Sequence, residues 1–353
     1  MKRIGLRSLA GGLALAVLLV GCTPGQPFQV GPPLPPETAP SETVPSETAP
    51  SESASGPSGQ GTPPTATPPP SSPYFAQPAP HPAPALPGQP GNRGIQHIVI
   101  IVLENKAASQ ILGASDAGYF NQLAAEYALA TNYQAIMHPS LPNYIALTSG
   151  TNAGITSDCK PRSCTADVRS IADEITQSGR TWKMYAESMP APCVGRDLGA
   201  YAVKHNPFMY YPSVTGDKAS CADHVVPFDR LDQDLQSAST LPDYAFISPN
   251  MCNDTHNCSI NTGDGWLSRQ VPKILGSPAF TTQNSLLVIT WDEGSGDDNR
   301  VATVFAGPAA RRGFTSDAAY SHYALLHTIE DVWGLAPLTE NVSNAPLMRE
   351  MLQ

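Results

Sequence analysis

Two short runs constrain this chain most: HIVIIVL at 97–103 and LLVITW at 286–291. Both are apolar almost throughout. A strand with one wet face alternates polar and apolar residues, so these two must be buried on both faces. TWKMYAE, DYAFISPN and RVATVFAGP read as further strands. Between them lie segments with apolar residues at helical spacing: AGYFNQLAAEYAL, IADEITQSG stopping at Gly179, and SHYALLHTIEDVWGL. GWLSRQVPKILGSP reads as a helix interrupted or kinked at Pro272. Strands alternating with helices predict an α/β domain, a mostly parallel central sheet with helices on both faces.

Only part of the 353 residues can fold this way. Residues 1–21 carry Lys2, Arg3 and Arg7 ahead of an apolar run to Val20, the pattern of an export signal. Leu19-Val20-Gly21-Cys22 resembles the bacterial lipobox, in which the cysteine is acylated and becomes the new N-terminus. Acyl chains there would anchor the protein to a membrane surface without spanning it. Residues 22–93 are rich in Pro, Ser and Thr, with ETAPSETVPSETAPSES repeating every five residues. Such text has little to bury and favours an extended, solvated and disordered stalk. That leaves 94–353, enough for one large domain. The formal net charge of −10 argues against nucleic-acid binding. No later segment is long and apolar enough to span a membrane.

Of seven cysteines, six remain once Cys22 is set aside. An even number in an exported domain suggests disulfides. Local spacing points to Cys159–Cys164, Cys193–Cys221 and Cys252–Cys258, with other pairings open. A zinc cluster is the competing reading, against which no CxxC pair occurs.

The buried runs end in costly residues. Glu104-Asn105 follows one, Asp292-Glu293 the other, and Asn250 closes DYAFISPN. In open α/β sheets, ligands bind beyond the carboxyl ends of the strands, so parallel strands would bring these groups together. Uncompensated buried carboxylates repel, and a divalent cation with oxygen ligands removes that cost. Taken singly, each acid reads equally as a turn residue or a helix cap.

HPSLPNYIALTSG supplies a nucleophile candidate. Pro142 suits a first helical position, which would place Ser140 just before a helix N-terminus, a natural phosphate site. The hydroxyl still needs activation, and metal coordination can supply it. Helix capping is the competing job for Ser140. His205, His256 beside Asp254, and His322 complete the polar candidates, though each alone suits a structural role. His327, mid-helix, reads as packing.

Together, HIVIIVLEN, HPSLPNYIALTSG, KHNPF, PNMCNDTHNCSINTGDGWL, ITWDEG and SHY, in that order across 95–350, resemble the bacterial phosphoesterases. That family includes secreted acid phosphatases and non-haemolytic phospholipases C, on a fold like that of alkaline phosphatase. The similarity is greatest to the acid phosphatase branch that includes phosphatidylinositol-3-phosphatases. The resemblance implies that Glu104 and Asn105 form a first metal-binding pair, that Ser140 is the nucleophile, and that Asp292 and Glu293 form a later acidic pair, where relatives often carry Asp-Asp. It places His205, Asp254, His256 and His322 around the phosphate, as second-metal ligands or as contacts to phosphate and leaving group. Asn257 stands where close relatives often have Asp, which leaves one divalent ion or two open. The implied activity is metal-dependent hydrolysis of phosphate monoesters through a phosphoserine, with His322 or His256 protonating the leaving oxygen. A protonated histidine in that role would favour mildly acidic pH. Phosphoinositides or other exported phosphate esters would be the substrates, met at the membrane or in the envelope. A phospholipase C-like phosphodiesterase and a non-catalytic surface binding lipoprotein are the alternatives.

Overall fold

The computed structural model describes residues 94–296 and 298–353; the expected signal, Cys22 and the stalk lie outside them. Nine strands share one sheet: β1 (His97–Leu103), β2 (Ala128–Gln134), β3 (Trp182–Ala186), β4 (Val225–Pro227), β5 (Tyr244–Ser248), β6 (Ser285–Trp291), β7 (Arg300–Ala306), β8 (Phe314–Ser316) and β9 (Tyr320–Ser321). Their order is β4-β3-β5-β1-β6-β7-β2-β8, with β9 also paired to β2. Every residue of β1 and β6 is buried, as strands without a polar face require.

The sheet is mixed, though mostly parallel. β7 runs antiparallel to both β6 and β2, and the other pairings are parallel. The cause is the short link between β6 and β7, residues 292–299. A parallel crossover needs a dozen residues or more, whereas a short link returns the chain antiparallel. Reversal at β7 leaves β2 pointing the same way as β1 and β6, so all three end at one edge.

Register sets the site at that edge. Leu103 pairs with Trp291, and the amide of Asp292 donates to the Leu103 carbonyl at 2.9 Å. Glu104 and Asp292 therefore leave the sheet side by side. From β5 the chain loops back, and the Glu104 amide donates to the Asp254 carbonyl at 2.7 Å. Asn250 lies at the same edge but caps its own turn, its Oδ1 accepting from the amides of Cys252 and Asn253.

β2 leads through residues 135–139 into the helix Ser140–Ser149, which is buried along its whole length. Contrary to expectation, Pro139 is the N-cap, Ser140 is the first helical residue, and Pro142 is the third. Proline is tolerated there because the first four helical amides have no intrahelical acceptor. The helix ends at Gly150, in the left-handed region at φ 71°. A Cβ there would lie 2.3 Å from Val342 Cγ2, so glycine meets both a backbone and a steric demand.

The helix Ile260–Leu275 runs through Pro272 uninterrupted. One lost backbone bond near its end is outweighed by burial of Trp266, Leu267, Val271 and Ile274. The three disulfides form as the spacings suggested, Cys159–Cys164, Cys193–Cys221 and Cys252–Cys258, so these thiols make no zinc cluster. His327 Nδ1 donates to the Ala345 carbonyl at 2.7 Å, a structural contact. No described helix is long and apolar enough to cross a membrane.

Candidate active site

Ser140 stands at the centre. Its Oγ lies 3.0 Å from Glu104 Oε2, 3.3 Å from Asn105 Oδ1 and 3.3 Å from Glu293 Oε1. Ser140 is the first helical residue and not the cap, which is Pro139. Asp292 closes the group, its Oδ1 accepting from the Asn105 amide at 3.1 Å. Asn105 adopts φ 54°, a left-handed conformation that asparagine tolerates better than most residues. Thus the ends of β1 and β6 and the start of the helix after β2 bring together all four residues of the expected oxygen set around the serine.

A second group adjoins the first through Glu104. One donor atom each from Glu104, His205 and Asp254 lies within 4.8 Å of the others. His205 Nε2 is 3.3 Å from Glu104 Oε1, and Nδ1 is 3.2 Å from Asp254 Oδ2. His205 thus sits among the candidate metal ligands. His256 flanks it, with ring centroids 5.9 Å apart and Nδ1 at 2.8 Å from Asn257 Oδ1.

His322 does not match its expected role as proton donor. Its Nε2 meets the Asp292 carbonyl at 2.6 Å and its Nδ1 the Tyr133 hydroxyl at 3.1 Å, in a fully buried setting. A carbonyl only accepts, so Nε2 carries the proton and Tyr133 donates to Nδ1. Both ring nitrogens are committed, and the histidine fixes the backbone beneath the acidic pair.

The electrostatics follow from burial. Desolvation raises Glu104 well above its usual range, and Asp292 and Asp254 push the same way. Asp292 rises to about 7 through burial and then Glu293. Asp254 rises to about 8 through burial, opposed by the His256 amide. Burial also raises Glu293, against the pull of His138. The histidines move down: His322 to about 4 and His205 well below its usual value, both chiefly by desolvation, with His256 lowered for the same reason. A neutral His205 suits a metal ligand, whereas His256 can donate a proton from Nε2 only while charged, a form that acidic pH favours. His205 Nε2 and Asp254 Oδ2 are buried with only the ion-pair contacts just given, and Asp292 Oδ2 is buried without a hydrogen-bond partner.

Several residues here went unnoticed in the sequence. Tyr144, one helical turn after Ser140, donates to Glu104 Oε1 and stacks on His205, centroids 5.5 Å apart. Its spacing from Ser140 was the available signal. Asn143 holds the preceding loop, accepting from the amides of Ile136 and Met137 and donating to the carbonyls of Met137 and Pro139. Asp158 accepts from the Leu141 amide at 3.0 Å and pairs with Lys204 at 2.7 Å, a link that only the fold creates. Thr255 holds a strained φ of 77°, pinned by Trp291 Nε1 at 3.2 Å and Lys106 Nζ at 2.7 Å.

Comparison with known proteins identifies relatives of the chain. The family model described as "Phosphoesterase family" matches residues 112–336. The phosphatidylinositol-3-phosphatase of Mycobacterium tuberculosis is 37% identical over 254 residues, covering 71% of this chain and 80% of that protein. The phosphate-repressible acid phosphatase of Penicillium chrysogenum is 35% identical over 229 residues, covering 62% of this chain but only 55% of its own length. Among solved structures, a Vibrio parahaemolyticus protein in the alkaline phosphatase superfamily aligns with a TM-score of 0.52 and 13% identity, over 73% of this chain and 72% of that one. That likeness speaks for the fold. The chain belongs to the phosphoesterase family.

Proposed function

We propose that this chain is a metal-dependent phosphomonoesterase of the acid phosphatase type, in which Ser140 forms a phosphoserine intermediate. One observation carries the reading: Ser140 Oγ is surrounded by acceptors only, from Glu104, Asn105 and Glu293. Each ionised carboxylate at that range would oppose an alkoxide by about 5 kcal/mol at an effective dielectric of about 20. These residues therefore suppress the nucleophile unless positive charge joins them. The donor set fits a divalent cation. The buried Oδ2 of Asp292, without a hydrogen-bond partner, makes the same case, since such an atom costs about 1–3 kcal/mol unless ligated.

Glu104, Asn105, Asp292 and Glu293 would hold an ion beside Ser140, and Glu104, His205 and Asp254 would hold one next to it, so the count is one or two. A bound ion would lower the pKa of Ser140 and neutralise charge on the phosphoryl oxygens. The chain's own residues do the rest. Ser140 Oγ attacks phosphorus in line, its O–P bond forming as the bond to the leaving oxygen breaks. His256, half-buried and with Nδ1–H donating to Asn257 Oδ1, protonates the leaving oxygen from Nε2 in its charged form. Water then hydrolyses the phosphoserine, returning a proton to His256.

Ser140→Ala should lower turnover of p-nitrophenyl phosphate about a thousandfold or more. Chelation should abolish activity, and added cation should restore it. Wild-type turnover by the variant removes the nucleophile, and activity that survives chelation removes the metal. The name of the mycobacterial relative supports phosphoinositides as substrates. Hydrolysis of phosphatidylcholine in place of monoesters would favour the phosphodiesterase alternative. We further infer an export signal at 1–21, lipidation at Cys22, a stalk at 22–93 and a catalytic domain at 94–353, held at the envelope surface.

A further inference from the structure

We propose that His138 is a positioning residue that aims Glu293 at Ser140 and at the cation site; this rests on the phosphatase reading above. His138 Nδ1 lies 2.6 Å from Glu293 Oε2. The imidazole is 51% exposed and the carboxylate 5%, so a half-wet side chain turns back onto a buried one. Glu293 uses its other oxygen, Oε1, on Ser140 Oγ. The terminal torsion of a glutamate is soft and roughly two-fold, so a carboxylate held at one oxygen can swing. A donor on Oε2 fixes its plane. His138 Nδ1–H supplies that donor whether the ring is neutral or charged.

The loop that carries His138 is held as firmly as the carboxylate. Asn143 binds four backbone groups between Ile136 and Pro139. Asn299 donates to the Met137 carbonyl at 3.1 Å, and its Oδ1 accepts from the Gly294 amide at 2.7 Å. One asparagine thus ties the residue after Glu293 to the residue before His138. The two side chains meet across a closed circuit of hydrogen bonds, and their separation does not depend on either loop drifting.

The test titrates Mn2+ into the metal-free full chain by calorimetry and measures steady-state hydrolysis of p-nitrophenyl phosphate. An asparagine amide nitrogen falls near the position of Nδ1, whereas that of glutamine falls near Nε2. His138→Ala should weaken Mn2+ binding about tenfold or more and lower kcat with KM little changed. His138→Asn should restore most of both, and His138→Gln should not. The Asn–Gln comparison holds even where the alanine variant folds poorly. Wild-type Mn2+ affinity and kcat in His138→Ala, or equal rescue by Asn and Gln, overturns the inference alone. A wild-type chain that binds no Mn2+ and hydrolyses no phosphoester overturns the phosphatase reading, and the inference with it.

Discussion

Asp254 and Asp292 retain protons that ordinary aspartates have lost, with values near 8 and 7, because burial penalises their charge. The proposed cation would have to displace those protons, so its binding and their release would be one event. Calorimetry in two buffers of unlike ionisation enthalpy should show protons released as Mn2+ binds. Affinity should fall as the pH drops from about 8 to about 5, since raised pKa values favour the protonated cluster throughout that window. Equal affinity at both ends would remove the picture of a proton-loaded cluster. Thr255 shows the same economy in backbone terms. Its strained φ persists because its hydroxyl, its carbonyl and the chain on either side are all engaged. Across from it, a Cβ at Gly263 would lie 2.3 Å from Thr255 Cγ2, which explains a glycine inside a long helix.

At the scale of elements, a second acidic pair lies away from the site. Glu174 on the helix Ile171–Gln177 and Glu330 on the helix His322–Trp333 are both buried, each with one unpartnered oxygen. Burial raises Glu330 to about 8, with Glu174 adding to the rise, and burial raises Glu174 to about 7 against the pull of Arg169. The folded-state pKa values lie above the unfolded ones. The stability they contribute is therefore full below about pH 4.5 and is lost as the pH climbs through about 7 and then about 8. Glu330→Gln keeps the shape without the charge. It should raise Tm by roughly 2–4 °C at pH 8 and change little at about pH 4.5, read by calorimetry of the metal-free protein. A fall in Tm at pH 8 would contradict the sign. The oxygen cluster was legible in the sequence because each strand is apolar up to its last residue and acidic immediately after. The N-terminus of the Ser140 helix was misread by two residues, because Pro142 fits the third position of a helix as well as the first. His322 was misread because nothing local shows that Tyr133, 189 residues away, takes one of its nitrogens.

For the whole molecule, the α/β class followed from strands without a polar face, and the reversal at β7 was within reach of the same reasoning, given the short link before it. Asp158 and Lys204 were beyond it, since their pairing joins a disulfide-closed loop to the segment leading into His205. The proposed anchor adds a prediction at this scale. Labelling with an alkyne fatty acid should mark the wild-type protein and spare Cys22→Ser, and equal label on both would remove the anchor. The pairing of Leu103 with Trp291 reaches further. It means that the gap between Glu104 and Asp292 is inherited from the sheet's ladder and not negotiated by surface turns. Deleting one residue within either strand would turn every side chain beyond it to the opposite, equally packed face of the sheet and part the two acids.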